Sequence, residues 1–181
     1  MIKGANVLAV IPARGGSKRC PRKNVRDFLG TPLIQWAYQS ARSSKYIDKV
    51  VLSSEDDEIL GLAKMLKMYD IEKRPAELAT DTATCEDVLR YHLKQYPHDW
   101  VVLLQPTSPL RKADDIDACI ERAQLGWGCI TYNEDTHQKN GAVYVAHADW
   151  LAQHEFTHAG LTKLDMPAER SLDIDYAEQF Q

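Results

Sequence analysis

Short apolar runs punctuate the chain: Val7 to Ile11, Val50 to Leu52, Trp100 to Leu104, Cys129 to Tyr132 and Ala142 to Ala146. Runs of this length without polar alternation suit strands buried on both faces of a parallel sheet. Between them, apolar positions recur at helical spacing. Leu33, Trp36, Ala37 and Ala41 form one stripe, with Thr31 and Pro32 ahead of it as expected N-cap and first helical position. Ile59, Leu62, Ala63 and Leu66 form a second, with Ser54 and Asp57 as its expected capping pair. Thr84 and Asp87 cap a third, whose apolar side is Leu89, His92, Leu93 and Tyr96, and His92 there reads as a core histidine. A fourth begins at Asp114 and Asp115, favourably placed against the helix dipole, and buries Ile116, Cys119, Ile120 and Ala123. Arg74-Pro75 marks a turn, followed by a polar loop to Thr84. Strands alternating with helices predict an α/β fold. We expect a single doubly wound, mostly parallel twisted sheet with helices on both faces, and one domain over residues 1–181.

The stretch after the first strand carries the clearest chemistry. Pro12 ends the strand, and Arg14, Lys18, Arg19, Arg22 and Lys23 then surround Gly15 and Gly16. Glycines that let backbone N–H groups turn inward, ringed by cations, suit a polyphosphate. The spacing matches neither the dinucleotide fingerprint nor the Walker loop. A basic surface loop without a ligand is the plain alternative.

Composition narrows the classes. The chain has 181 residues, 44% hydrophobic and 27% charged, with a net charge of −4. An acidic protein is a poor match for nucleic acid as its main partner, so the basic loop is a local site. The cysteines, Cys20, Cys85, Cys119 and Cys129, show no C-x-x-C pair and read as reduced thiols. No signal segment and no run long enough to span a membrane are visible, so a soluble, cytoplasmic protein is expected.

Two further motifs bear on metals. In Ser171-Leu172-Asp173-Ile174-Asp175, an extended backbone would turn both carboxylates to one face. Such a pair repels itself unless a cation lies between, and magnesium, which accepts one or two carboxylates plus phosphate oxygens, fits. A solvated acidic turn is the alternative. His154-Glu155-Phe156-Thr157-His158 matches the H-E-x-x-H zinc signature, with Glu169 or Glu178 as a conceivable third ligand. The segment has few apolar residues to bury such a helix, and Gly160 would soon end it.

Taken together, I-P-A-R-G-G-S-K-R-x-P-x-K-N, R-P-A-E-L-A-x-D-T-A, L-Q-P-T-S-P-L-R, N-G-A-V-Y and S-x-D-I-D resemble the acylneuraminate cytidylyltransferase family, the CMP-sialic acid synthetases. They occur in that family's order from Val7 to Asp175. The resemblance implies transfer of CMP from CTP to the anomeric hydroxyl of an acidic, sialate-like nonulosonate, with release of pyrophosphate and with Mg2+ (or Mn2+). By similarity, Ala13, Arg14, Gly15, Ser17 and Lys18 hold the nucleotide's phosphates, with Lys23 and Asn24 nearby. Arg74, Ala83 and Cys85 match cytidine-contacting positions, Gln105 and Tyr144 acceptor-sugar positions, and Asp173 and Asp175 the metal pair. Arg14, Lys18, Asp173 and Asp175 would carry the catalysis. The H-E-F-T-H stretch falls near the family's sugar pocket, in an acceptor-side or structural role.

Two departures from the pattern stand out. Cys85 replaces a serine, weakening one hydrogen bond to the nucleotide. Between Tyr132 and Asn140, where the family carries a long arm that crosses to a partner subunit, only a few residues intervene. A monomer, or a dimer of another type, is therefore expected. Lys139, Lys163 and Arg170 are candidates to replace the arm's basic residues. Other readings are a cytidylyltransferase with a different acceptor, such as a smaller sugar acid or phosphonate, a CTP- or CMP-sugar-binding protein without turnover, and, more remotely, a zinc metallopeptidase.

Overall fold

A computed structural model describes residues 4–180. In chain order the elements are β1 (Val7–Pro12), β2 (Asp27–Phe28), β3 (Thr31–Pro32), α1 (Leu33–Arg42), β4 (Lys49–Ser54), α2 (Asp57–Met65) and β5 (Ile71–Lys73). They continue with α3 (Cys85–Gln95), β6 (Trp100–Leu103), α4 (Ala113–Ala123), β7 (Gly128–Asn133), β8 (Lys139–His147), α5 (Ala148–Leu151) and β9 (Thr162–Met166). Seven strands make one sheet in the order β5-β4-β1-β6-β8-β7-β9, and β2 and β3 form a separate two-residue ribbon. β8 runs antiparallel to both of its neighbours, while the other pairings in the sheet are parallel. The fold is a mostly parallel α/β sheet of the doubly wound type.

β1 lies in the middle and is buried on both faces, which is why Val7 to Ile11 carries no polar residue. Its alternate side chains enter two cores. Val7, Ala9 and Ile11 pack with Ile34 and Ala37 of α1, Ile59 of α2 and Ile116 and Ile120 of α4. Leu8 and Val10 pack with Val88 and Leu89 of α3 and with Trp150 and Leu151 of α5. Burying each such Leu or Ile contributes roughly 1.5–3 kcal/mol. The chain winds from β1 through α1 to β4 on one side, and through α3 to β6 on the other. That reversal opens a crevice at the carboxyl ends of β1 and β6, the place where open α/β sheets take ligands.

Local expectations fared unevenly. The capping box of α3 forms between Thr84 and Asp87. Thr31 does not cap α1: it pairs with Phe28 in the β2–β3 ribbon, and Pro32 stands at the cap without a side-chain bond. Ser54 does not cap α2 either. Asp56 does, accepting from the N–H groups of Glu58 and Ile59, while the Ser54 hydroxyl accepts from the N–H of Asp56. β5 and β9 were not anticipated. Both are polar strands at opposite edges of the sheet, where the apolar-run signal vanishes.

Candidate active site

The loop after β1 is tied down on one side and charged on the other. The Ala13 N–H extends the β1–β4 pairing by donating to the Ser53 carbonyl at 2.8 Å, and Ala13 is buried. Asn24 donates from Nδ2 to the Arg14 carbonyl at 2.9 Å. Gly15 presses against the start of α2. A Cβ there would lie 2.2 Å from Asp56 Oδ2, whereas Gly16 faces open space. The Gly15 N–H donates to Glu55 Oε1 at 2.8 Å, and Glu55 also pairs with the buried Arg74 at 3.3 Å. The Ala13 side chain shapes the loop from within the core, and the Gly15 N–H turns to a carboxylate of the protein.

Arg22, with φ of 58°, grips Asp56 with two hydrogen bonds at 2.7 and 3.0 Å and also reaches Glu58. This clamp and the two backbone N–H groups that Asp56 caps hold its carboxyl down at about 2. The other cations are also paired. Arg14 and Lys18 share Asp81 at 3.2 and 2.5 Å, and Arg19 and Lys23 share Asp175 at 3.5 and 3.6 Å.

These groups surround a cavity of about 360 Å³, within the range of small-ligand sites. Leu78, Ala83, Cys85 and Val88 give it an apolar wall at the start of α3; Arg14, Lys23 and Arg74 bring positive charge, and Asp81, Asp173 and Asp175 negative. Asn24 and Gln105 add neutral polar groups. A second hollow of about 290 Å³ adjoins it through Arg14, Lys23 and Asn24, and continues to Ser17, Lys18 and Arg19. Burial lowers the pKa of Arg74 and raises that of the Cys85 thiol. Gln105 Nε2 approaches Cys85 Sγ at 3.9 Å.

Asp173 and Asp175 lie outside any strand, on either side of an anchored residue. Ile174 is buried with Phe28 and Leu33, and its N–H donates to the Thr107 carbonyl at 2.8 Å. Anchoring the middle side chain inward leaves both flanking carboxylates on the cavity wall. One side of Asp173 is open to solvent. Even so, the desolvation around it, helped by the charge of Asp175, raises its pKa. Two hard carboxylates whose charge is unfavourable together, on the wall of a pocket of mixed charge, are a donor set that fits magnesium. Among the described residues no group of three or more His, Cys, Asp or Glu side chains is placed to hold a metal.

Tyr144, on β8, sits outside the cavity lining. Its ring packs edge-on to Phe156 with 5.1 Å between centroids, and burial pushes its hydroxyl up to about 12. His92 is a buried core residue, 2.8 Å from the Ser53 hydroxyl, and burial pushes it down to about 4. The zinc signature does not form, because residues 152–161 are turns and not the helix the motif needs. His154 stacks on Trp150 and donates from Nδ1 to the Trp150 carbonyl, and His158 donates to the Ala159 carbonyl. Arg170 is engaged elsewhere, bonded three times to the buried Asp115.

Sequence reasoning missed Asp81 and Glu55, whose partners lie far away along the chain. Asp81 stood in the R-P-A-E-L-A-x-D-T-A motif, so a signal existed. It also missed Arg111, which is wholly buried and donates to the carbonyls of Gln105 and Ala142 at 3.2 and 2.6 Å. Arg111 thereby ties the end of β6 to β8 beneath the cavity, and burial pushes it down to about 9.

A cationic loop beside a carboxylate pair, at the switch point of a doubly wound sheet, defines a nucleotide-handling class of protein. Comparison with known proteins narrows the class. The sequence model described as cytidylyltransferase matches residues 8–127, more than half of the chain. The chain belongs to the cytidylyltransferase family. A pseudaminic acid cytidylyltransferase from Campylobacter jejuni is 38% identical over 120 residues, 64% of this chain and 52% of the relative. A CMP-N,N'-diacetyllegionaminic acid synthase from Legionella pneumophila is 39% identical with the same coverage. An N-acylneuraminate cytidylyltransferase from Escherichia coli is 26% identical across 97% of this chain and 50% of its own length. The chain spans about half the length of the curated relatives it matches. The last alignment runs over 213 positions, more than the 181 residues of this chain, so that relative carries segments without a counterpart here. Among solved structures, a CMP:2-keto-3-deoxy-manno-octonic acid synthetase complexed with CTP superposes with a TM-score of 0.79 at 14% identity. It covers 96% of this chain and 95% of its own, which establishes a shared fold. No helix among the described residues is long and apolar enough to cross a membrane.

Proposed function

We propose that this chain is a CTP-dependent cytidylyltransferase of the sialate type, transferring CMP to an acidic nonulosonate. One observation carries the reading: a single crevice gathers the cations Arg14, Lys23 and Arg74 together with the carboxylates of Asp173 and Asp175. In this reading the triphosphate lies along the loop, against Arg14, Ser17, Lys18, Lys23 and Asn24. The base rests on the apolar wall near Ala83 and Cys85, with Arg74 beside it. Gln105, whose carbonyl Arg111 fixes, would contact the acceptor with its amide. The acceptor's anomeric oxygen bonds to the α-phosphorus, the bond to the β-phosphate oxygen breaks, pyrophosphate leaves and the hydroxyl proton is released.

The chain's own contribution is positioning and charge. Arg14, Lys18 and Lys23 hold the departing pyrophosphate and neutralise its charge. Asp173 and Asp175 would hold magnesium, which when bound supplies further neutralisation of phosphoryl charge. We also place the protein in the cytoplasm, as a single domain. The tight β7–β8 connection, closed by the Asn133 side chain on the N–H groups of Asp135 and Thr136, favours a monomer or a dimer without arm exchange. A cross-linking map that puts residues 133–140 in a neighbour's site would refute that.

The reading is tested by incubating the protein with CTP, magnesium and pseudaminic, N,N'-diacetyllegionaminic or N-acetylneuraminic acid, and measuring pyrophosphate. Release with at least one acid, dependent on that acid, is expected. CTP binding without release from any of them would overturn the nonulosonate reading in favour of a different acceptor or a binding protein. Stoichiometric zinc with peptide hydrolysis would overturn both.

A further inference from the structure

Asp173 and Asp175 belong to no strand, so no sheet ladder holds their backbone, and its polar groups must find other partners. Two come from the body of the fold. The Ile174 N–H donates to the Thr107 carbonyl at 2.8 Å, and the Ile174 carbonyl accepts from Lys23 Nζ at 3.1 Å. Three more bonds come from one side chain. Gln179 Oε1 accepts from the N–H groups of Asp175 and Tyr176 at 2.7 and 2.8 Å, and Gln179 Nε2 donates to the Asp173 carbonyl at 2.9 Å. Its amide therefore bridges the main chain on both sides of Ile174. These partners also fix which way round the amide stands, because a flip would set its NH2 against two donors. The short turn that carries Gln179, Ala177–Phe180, is itself pinned. The Gln179 N–H donates to the Tyr176 carbonyl at 3.2 Å. The Phe180 ring packs edge-on to the buried Phe28 at 6.3 Å, with the Arg26 guanidinium 4.6 Å from its centre.

We propose that Gln179 is a positioning residue: its amide sets the spacing and direction of the Asp173 and Asp175 carboxylates for a divalent cation. This rests on the metal reading of that pair and adds the residue that holds the pair in place. Two points single Gln179 out. Lys23, the other side chain that bonds to this backbone, also lies 3.6 Å from Asp175 and is placed on the phosphates in the proposed function, so a bound triphosphate would compete for it. Gln179 is not part of the cavity lining, and its hydrogen bonds would outlast that exchange. The chemistry of the side chain matters as well. A carboxylate would accept from the two N–H groups but would repel the Asp173 carbonyl and add a third negative charge beside two that already repel. An apolar side chain would meet none of the three groups. Only an amide of this length satisfies donors and acceptor together without charge. Magnesium demands near-ideal geometry and takes one or two carboxylates, so its binding is sensitive to how such a pair is held.

The test compares CTP affinity with manganese and in chelator by calorimetry, and the binding measurement decides. The native protein should bind CTP more tightly with the metal, and Asp175→Asn, as the reference, should lose that gain. Gln179→Leu, which keeps the reach of the side chain but makes none of the three bonds, should cut the gain by about fivefold, as expected on losing several neutral hydrogen bonds. Its CTP affinity in chelator and its thermal midpoint should stay native. Gln179→Ala, which admits water to the freed backbone groups, should behave in the same way. Pyrophosphate release with the same three acids should need about fivefold more metal for half-maximal rate in both variants, with the KM for CTP at saturating metal unchanged. A full metal-dependent gain in Gln179→Leu overturns the brace and, where Asp175→Asn lacks the gain, leaves the metal pair standing. An affinity lost equally in chelator and in metal would make Gln179 a merely structural residue and also overturns the proposal. If the native protein shows no gain, or Asp175→Asn keeps it, the metal reading itself falls and the brace falls with it.

Discussion

Replacing Asp56 with Asn would probe how the phosphate loop is held. Asp56 caps α2, takes two hydrogen bonds from Arg22 and supports the backbone at Gly15. Its carboxyl falls from an ordinary 3.8 to about 2, chiefly through the Arg22 contact. At about 1.4 kcal/mol per tenfold change this corresponds to roughly 2 kcal/mol. The side chain is still 22% exposed, so solvent screening lowers the expectation to about 1–2 kcal/mol. Because the folded pKa lies below the unfolded one, the contribution is complete above about pH 4 and is lost as pH falls through about 2. Asn can still accept from the helix N–H groups, so the variant isolates the ionic part. Urea unfolding followed by circular dichroism should therefore show Asp56→Asn less stable than the native protein at pH 7, with the gap closing at pH 2–3. CTP affinity should fall as well, because the loop loses its anchor. Equal midpoints at pH 7, or a gap that is constant with pH, would refute the reasoning.

Ala at Arg14 or Lys18 should weaken CTP binding by about tenfold or more in calorimetry while the thermal midpoint holds, as expected on losing a charge-assisted phosphate contact. Unchanged binding in both would remove the loop assignment. Asp173→Asn and Asp175→Asn should lose most pyrophosphate release while binding CTP normally in chelator, and magnesium should restore activity only to the native protein. Native rates in both variants would show that the metal pair lies elsewhere. His92 should titrate by NMR near pH 4; since that is below its unfolded value, its contribution to stability is present above about pH 6.5 and declines as pH falls through about 4. A shift midpoint near 6.5 would contradict its burial.

How much of this was legible in the sequence depended on how far each signal reaches. The buried strands and the stripes of α1 to α4 were read correctly because burial on both faces, or on one, is written in consecutive residues. The edge strands escaped for the same reason. Thr162–Met166 alternates polar and apolar residues with one face in solvent, and Ile71–Lys73 is too short to show a period. The cap of α2 was misplaced by two residues because Ser54, Glu55, Asp56 and Asp57 all have capping chemistry. Only the fold decides that Ser54 belongs to β4 and that Asp56 faces Arg22. Within the site, motifs marked the cations and the Asp173–Asp175 pair, but not which charges answer which.

That pairing changes how nucleotide binding should be understood. Arg14 and Lys18 turn to Asp81, and Arg19 and Lys23 turn to Asp175. A triphosphate bound as proposed would replace existing partners and would not meet bare charge. The pairs of Arg14, Lys18 and Arg19 are largely exposed, so each is weak and readily exchanged, whereas Lys23 is mostly buried beside Asp175. The cost of exchange is small, and the gain lies in the extra charge and the fixed geometry of the phosphates. Releasing Asp175 from Arg19 and Lys23 would also free a carboxylate next to Asp173, so the same exchange that admits the phosphates would prepare the pair for a metal. Cations and carboxylates therefore alternate around the cavity, and each of Asp81 and Asp175 holds two of the cations that the proposed ligand would need.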